Sequence, residues 1–518
     1  MKAGITILLI VLSLLVYGQH PLVKYEEINY FSTFEQQAFY DFFEQGKVNY
    51  FALFTALNPQ INKSDFEQFV HSYNVNLQLI DFKKTERKKP KATIAYIYQR
   101  LHDVFLKKYE ATNHFSDIFR QGQYNCVSST ALYGLIFQHF NIPFTIRENP
   151  THVYLVTYPD TDKIMVESTA PGSAFYAYNE PFKKEFIKNL FDNKIIEKSE
   201  YEQYTVNDLF DKYYFNDEDI SLRELVGVQY SNDAIYRIDD EDYKGAFAQL
   251  EKAWLFYPGE KIKYMLLSTG TQILTLNSYD KDPDLLGYLI KLSRYKELGI
   301  TTEMVVGEFG KITEQLLLNN GQPEKYKRYY EELIAELDDQ ETMDEISFGY
   351  YYESGRVLYN DGHFSASLPY FEEAFTLKPG NLNVKSAFTN TLLQLGNAKR
   401  NNNELLEFVE KYSNKYTQLE KNGKFIHLMA TAYLTAFMQS YQLNNTVEGD
   451  HYKKLFEELF QANPDMHLPV DKVAEAYSAA AVYYFRKGQK VRARQYIDDG
   501  LKVIPGNFEL QQRQRMLR

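Results

Sequence analysis

Three windows of 34 residues share one spacing of small, aromatic and proline residues, and this repetition constrains the fold most strongly. The windows span 348–381, 474–507 and 227–260. The spaced positions of the clearest window are Gly355, Gly362, Phe364, Ala374 and Pro379. Small residues at these offsets let two antiparallel helices pack closely, and the proline ends the second helix. The C-terminal part of the chain is therefore predicted to be an array of helical hairpins.

These windows resemble tetratricopeptide repeats. The matching positions of the other two windows are Ala481, Gly488, Ala493, Gly500 and Pro505, and Ala234, Tyr243, Ala246, Ala253 and Pro258. The stretches 261–346 and 382–473 keep helical patterning but lack the motif, so we expect an irregular all-α solenoid over 216–518. The resemblance implies a concave surface that binds a protein or peptide partner.

The first 18 residues have the composition of a secretory signal peptide. Lys2 precedes an apolar run from Ile5 to Tyr17, and the predicted cleavage site follows Gly18. This run is shorter than the roughly 20 residues that a membrane span needs, and no later stretch is long and apolar enough. The mature chain is thus expected to be exported, either periplasmic or secreted, without a transmembrane span. An uncleaved anchor is the alternative.

Length and charge narrow the possible classes of protein. A chain of 518 residues is too long for one hydrophobic core. We predict a helical N-terminal segment at 19–89, an α+β domain at 90–215 and the helical array at 216–518. The formal charge of -12 argues against a general nucleic-acid binder, because neutralising phosphates takes clustered Lys and Arg.

Cys126 is the single cysteine, so the chain has no internal disulfide. It lies in the stretch GQYNCVSSTALYGLIF, where Asn125 is a good N-cap and Cys126 falls in the first turn of a predicted helix over 126–140. The unpaired amides of a helix N-terminus stabilise a thiolate, which is the nucleophilic form of cysteine. The alternative is that Cys126 is simply a small hydrophobic side chain in the core, without a chemical role.

A predicted antiparallel sheet follows this helix and brings a base and an acid together. The strands are NIPFTIREN, HVYLVTY and KIMVEST, with a turn around Pro159–Asp162 between the last two. A symmetric hairpin sets His152 opposite Glu167, Ser168 or Thr169, and we favour Glu167. In that register His152 and Glu167 share one face, while Val153, Leu155, Ile164 and Val166 share the other. A surface histidine and a solvated glutamate are the alternative.

The stretch from Gly122 to about Gly172 resembles the transglutaminase-like superfamily, a branch of the papain-like cysteine enzymes. The resemblance lies in Cys126 at a helix start, Asn141-Ile142-Pro143 before a strand, His152 opening the next strand, and Glu167-Ser168-Thr169. It implies an α+β core in which the cysteine helix packs on an antiparallel sheet. Two features depart from the family: it usually has Asp and Pro where this chain has Glu167 and Ser168, and the interval from Cys to His is short.

The resemblance implies catalysis through a thioester on Cys126, with His152 as base and acid and Glu167 orienting the imidazole. The oxyanion would be bound by the Cys126 amide and the side chain of Gln123, with Gln121 and Asn125 as equal alternatives. We predict a peptidase or amidase acting on a protein or peptide. The alternatives are an inert scaffold that binds through its repeats, and a protein-crosslinking acyltransferase.

Other chemistries lack a sequence pattern. There are no paired cysteines or close histidine pairs for zinc, no Walker-type loop and no dinucleotide-binding fingerprint. Asp160 and Asp162 are interpreted as turn residues rather than calcium ligands. We therefore expect neither a metal nor a cofactor.

Overall fold

The structure is a computed structural model, which describes residues 22–80, 89–149, 152–162, 164–167, 180–214 and 219–517. The predicted signal peptide lies outside these residues, as do Ser168 and Thr169. The chain forms two compact units, Met1–Lys311 and Ile312–Arg518. Within the described ranges, no helix has the length and apolarity needed to cross a membrane.

The first unit combines helices with short strands. Its α-helices are α1 (Thr33–Phe43), α2 (Tyr50–Ala56), α3 (Lys63–Gln78), α4 (Pro90–Val104), α5 (Asp117–Gln121), α6 (Cys126–His139), α7 (Glu180–Asp192), α8 (Lys198–Gln203), α9 (Val206–Tyr214), α10 (Leu222–Asp239), α11 (Tyr243–Phe256), α12 (Glu260–Leu276), α13 (Leu285–Ser293) and α14 (Thr302–Ile312), which ends just past its boundary. Its strands are β1 (Lys108–Tyr109), β2 (Gln123–Tyr124), β3 (Phe144–Asn149), β4 (His152–Thr157), β5 (Ile164–Val166) and β6 (Asp219–Ile220).

Four of the strands form an antiparallel sheet in the order β5-β4-β3-β6. The strands β3, β4 and β5 correspond to the three predicted from sequence. The sequence analysis missed β6, which adds Ile220 beside Ile146, and it missed the parallel pair β1 and β2. Each of these missed strands has two residues, which is too short to show a period of two.

Helix α6 lies at the centre of the first unit. Its residues from Val127 to Phe137 are all buried, so it has no solvent-facing stripe. It packs on β4, and Gly134 allows α10 to approach closely, because a Cβ there would lie 2.7 Å from Leu222 Cδ2. Cys126 is the first residue of this helix and is half-buried.

The N-terminal segment is joined to the helices that follow the sheet. Glu35 of α1 forms an ion pair at 2.9 Å with Lys252 of α11, and both side chains are almost fully buried. Glu27 pairs with Arg294 at 2.7 Å after α13. The predicted boundaries at 89/90 and 215/216 lie within the compact unit Met1–Lys311, and the division of this unit into domains stays a prediction.

The second unit is helical throughout its described residues. A π-helical turn, Thr313–Asn319, precedes α15 (Pro323–Glu336), α16 (Gln340–Asn360), α17 (Phe364–Leu377), α18 (Leu382–Asn397), α19 (Asn402–Lys415), α20 (Gly423–Gln442), α21 (Thr446–Ala462), α22 (Val470–Arg486), α23 (Lys490–Val503) and α24 (Phe508–Met516). Consecutive helices pack in pairs, most extensively α16 with α17, α20 with α21, and α22 with α23.

Each of the three 34-residue windows coincides with a helical hairpin. Window 348–381 covers most of α16 and all of α17, and window 474–507 covers most of α22 and all of α23. Window 227–260 covers α10 and α11, which belong to the first unit. The small residues lie at helix crossings as the pattern predicts: at Gly355 a Cβ would lie 3.0 Å from the Phe371 ring. Helical hairpins of the predicted kind are thus present in both units.

Candidate active site

A capping box fixes the N-terminus of α6 around Cys126. The Asn125 side chain accepts a hydrogen bond from the Ser128 amide at 2.8 Å, and the Ser128 hydroxyl accepts one from the Asn125 amide at 2.9 Å. The Asn125 Nδ2 also donates to the Ala111 carbonyl at 2.9 Å. These bonds hold the first turn in place and leave the thiol at its edge. The side chain of Asn125 is occupied by them, which argues against its use as an oxyanion donor.

His152 opens β4 and contacts both of its predicted partners. Its Nε2 lies 2.7 Å from each carboxylate oxygen of Glu167, and the residue is 8% exposed. The ring is also hydrogen-bonded to the side chain of Cys126. The structure therefore brings a thiol, an imidazole and a carboxylate into one row.

The partners of His152 determine its charge. Burial on its own would lower the pKa of His152, but hydrogen bonds to Cys126 and Glu167, and the negative charges of both, raise it from 6.5 to about 9. The imidazole is therefore protonated at neutral pH.

The strand register differs from the favoured prediction. Leu155 pairs with Val166 and Thr157 with Ile164, so continuing the ladder by one residue sets Glu167 opposite Tyr154 rather than opposite His152. His152 and Glu167 meet diagonally on the same face. The shift is by two residues, which keeps every side chain on its predicted face. The opposite face carries Val153, Leu155 and Val166, all at most 3% exposed.

A further hydrogen bond joins the cysteine helix to the histidine strand. The hydroxyl of Thr130, one turn after Cys126, donates to the carbonyl of Val153 at 3.3 Å. Val153 directly follows His152, so this bond sets the distance between the two elements that carry the sulfur and the ring. Thr130 is fully buried, and the sequence analysis did not single it out.

The predicted oxyanion donors differ in their surroundings. Gln123 is half-buried in β2, and its own carbonyl accepts a hydrogen bond from Asn113 at 2.8 Å. Gln121 is exposed at the end of α5. Gly122 lies between them with φ of 70°, and its carbonyl accepts from the amides of Lys107 and Lys108. Gln123 is therefore the less exposed of the two glutamines.

Two tyrosines near the row were missed from sequence. Burial is the largest cause that raises the pKa of Tyr109 to about 12, and the charges of Cys126, Tyr124 and Glu167 add to it. Burial raises the pKa of Tyr98 too, with Glu167 as the second cause. Both phenols are thus neutral donors within electrostatic range of the site. Tyr109 is brought there by the pairing of β1 with β2 beside Tyr124, and a strand pair this short has no sequence pattern.

Other site types find no support in the described part of the chain. No group of three or more His, Cys, Asp and Glu residues is arranged to hold a metal ion there. Asp160 and Asp162 lie in the turn between β4 and β5, where Thr161 donates a hydrogen bond to Asp162 at 3.4 Å.

Comparison with known proteins adds little. No family model and no curated protein matches the chain. Among solved structures, it is similar to the tetratricopeptide-repeat domain of P58(IPK), at 12% sequence identity over 57% of this chain and 81% of that one. The TM-score is 0.18, which is too low to support an argument about fold or function.

Proposed function

We propose that this protein binds another protein or peptide through its helical hairpins and processes an amide bond at Cys126, His152 and Glu167. The observation that carries the catalytic part is the hydrogen-bonded row with its protonated imidazole. The proposal keeps the transglutaminase-like interpretation of the α6–β5 region and the peptidase or amidase activity that it implies. Export through the signal peptide is part of the same proposal.

The proposed reaction proceeds through a thioester. The Cys126 thiolate attacks the carbonyl carbon of a carboxamide or peptide, and the oxyanion is stabilised by the Cys126 amide and Gln123. The C–N bond then breaks while the His152 imidazolium gives its proton to the leaving amine. The neutral imidazole next takes a proton from water, which attacks the thioester. A carboxylic acid is released and the thiolate–imidazolium pair is restored.

The reactivity of the Cys126 thiol tests this proposal, because Cys126 is the only cysteine and any thiol labelling must occur there. We expect iodoacetamide at pH near 6 to label the native protein far faster than an ordinary thiol, since a thiolate reacts and a thiol does not. His152→Ala should slow labelling by about 100-fold or more, the scale of a lost acid–base partner. His139→Ala is the matched control, because His139 is exposed at the other end of the same helix.

Labelling no faster than that of a free thiol would exclude the enzyme. It would leave the second candidate, an inert scaffold, which the helical hairpins favour because they can bind a protein without any chemistry. If labelling is fast, incorporation of a fluorescent primary amine into a glutamine-containing protein separates a crosslinking transferase from a hydrolase. Hydrolysis is the proposed outcome, so we expect release of ammonia or cleaved peptide without incorporation of the amine.

A further inference from the structure

A cavity of about 300 Å³ lies in the first unit, and its lining includes none of Cys126, His152 and Glu167. Its walls come from β3, α9, α10 and the start of α12. The apolar part of the wall includes Val228, Ile262 and the rings of Tyr213 and Tyr257. A volume of this size is at the lower end of small-molecule sites, which range over roughly 300–1,000 Å³.

A buried carboxylate lines this cavity. Glu148 is 4% exposed, and its Oε1 lies 3.2 Å from Lys261 Nζ. Its second oxygen, Oε2, has no hydrogen-bond partner among the residues that the structure describes. Leaving a buried acceptor unsatisfied costs about 1–3 kcal/mol, and more for a charged group. The site therefore favours a ligand that brings a hydrogen-bond donor to Glu148.

The N-terminus of α12, a helix of 17 residues, favours a hydrogen-bond acceptor on the ligand, whereas Glu148 favours a donor. Its N-cap is Gly259, and no side chain caps the first turn. Gly259, Glu260 and Ile262 of this turn line the cavity, and the first amides of an α-helix have no acceptor within the helix itself. The positive end of the helix dipole and the ammonium of Lys261 both favour an acceptor with negative charge.

We propose that this cavity binds a free α-amino acid with an apolar side chain. The ammonium donates to Glu148 Oε2, the carboxylate accepts from the first turn of α12, and the side chain contacts Val228 and Ile262. Binding here is independent of the chemistry at Cys126, since Glu148 faces the opposite side of the sheet from His152: it pairs with Val153, whose side chain points into the core.

Calorimetric titration of the full chain with L-leucine tests the proposal. We expect saturable binding of one molecule per chain. Isoamylamine, which lacks the carboxylate, and isocaproate, which lacks the ammonium, should each bind about tenfold more weakly or worse, because each loses a charge-assisted hydrogen bond. Absence of leucine binding, or isocaproate binding as tightly as leucine, would overturn the proposal; the second result would make the cavity a simple anion site.

Two variants address the two ends of the ligand. Glu148→Gln should weaken leucine binding about tenfold or more, whereas Glu202→Gln, an exposed glutamate in the same unit, should not. Because Glu148→Gln leaves Lys261 without its ion pair, the double variant Glu148→Gln with Lys261→Met provides a second protein without an unpaired charge.

Gly259→Asp tests the other end without weakening the fold. A Cβ at Gly259 meets no atom within 4 Å, and an aspartate there caps α12 and occupies the amides that the ligand carboxylate would use. We expect a melting temperature at least as high as that of the unmodified protein, together with leucine binding weakened about tenfold or more. Gly287→Asp, at another open glycine, is the control. Unchanged binding in Gly259→Asp would contradict the placement of the carboxylate.

Discussion

The two units of this protein bury different kinds of side chain. Among the described residues, the charged side chains that are fully buried all belong to the first unit: Glu35, Glu148, Glu251, Lys252 and the protonated His152. The buried polar residues of the second unit are serines and threonines, and its core is built from aromatic, aliphatic and alanine side chains. The first unit thus contains groups that require specific partners, while the second requires mainly close packing.

This difference bears on function. A buried charge is expensive unless it is paired, so charged interiors are kept where they define a specific arrangement or a reactive site. In the first unit, such pairs join α1 to α11 and hold His152 beside its partners. In the second unit, glycines and alanines at helix crossings set the spacing of the hairpins. We therefore expect substitutions in the two units to destabilise the protein by different mechanisms.

The largest effect is expected for Glu35→Ala, which leaves Lys252 in the core without its ion pair. Lys252 is fully buried, and its Nζ lies 2.9 Å from Glu35 and 3.9 Å from the centre of the Phe31 ring. Removing one partner of a buried pair costs about 3–5 kcal/mol. Thermal unfolding should show the first unit melting at a lower temperature while the transition of the second unit is unchanged.

The control for this substitution is Glu67→Ala, which removes an exposed pair with Lys63 in the same unit. Exposed pairs contribute roughly 0–1 kcal/mol, so its melting curve should nearly superimpose on that of the unmodified protein. Equal small effects of Glu35→Ala and Glu67→Ala would contradict the role assigned to the buried pair.

A smaller loss is expected in the second unit from Gly500→Val. A Cβ at Gly500 would lie 2.9 Å from both Leu510 Cδ1 and Tyr477 Cγ, so the added methyl groups must displace α24 or the Tyr477 ring. Overpacking of this kind costs about 1–3 kcal/mol. Chemical denaturation followed by circular dichroism measures it, with Gly423→Val as the control at an open position. A stabilised Gly500→Val protein would show that the crossing is looser than the structure indicates.

The packing of the second unit could be predicted from the sequence to a greater extent than that of the first unit. The hairpins of the second unit follow from local spacing, because Gly355 and Gly500 contact partners from neighbouring helices in the chain. The buried pair of Glu35 with Lys252 joins residues 217 positions apart, and no local pattern marks it. This long-range pairing is why the predicted boundary at 215/216 falls inside a compact unit.

The site shows the same division. Cys126, His152 and Glu167 were identified from a helix start and from strand alternation, which are local patterns. Thr130 and Tyr109 were missed, because their roles depend on which strand packs against α6 and on a two-residue strand pair. The register error of two residues arose because turn geometry, which fixes the register of a hairpin, was inferred from composition alone.

An effect on charge rather than on packing is expected for Glu167→Gln, which should lower the pKa of His152 from about 9 towards 6.5. The folded pKa exceeds the ordinary value, so the imidazolium stabilises the fold fully below about 6.5 and loses this contribution as the pH rises through about 9. In the variant that loss should occur at lower pH, because one of the two raising partners becomes neutral. NMR titration of the histidine ring protons and melting temperatures across this range measure both effects.

If the site is catalytic, Glu167→Gln also shifts the alkaline limb of the pH–rate profile to lower pH. The reason is that the imidazolium must protonate the leaving amine. Glu202→Gln, with its exposed side chain, leaves the titration unchanged. An unaltered His152 titration in Glu167→Gln would show that the carboxylate contributes nothing to the charge of the ring, although the two groups are 2.7 Å apart.

The smallest effect is expected for Thr130→Val, which keeps the volume of the side chain but removes the hydroxyl that donates to the Val153 carbonyl. The bond is 3.3 Å long and joins uncharged groups, so its loss should cost about 1 kcal/mol. Since the bond sets the spacing of α6 and β4, we expect iodoacetamide labelling of Cys126 to slow several-fold. Thr130→Ser keeps the hydroxyl and should restore the labelling rate even where it lowers stability. A valine variant that loses stability but labels at the original rate would mean that Thr130 holds the two elements together without positioning the thiol.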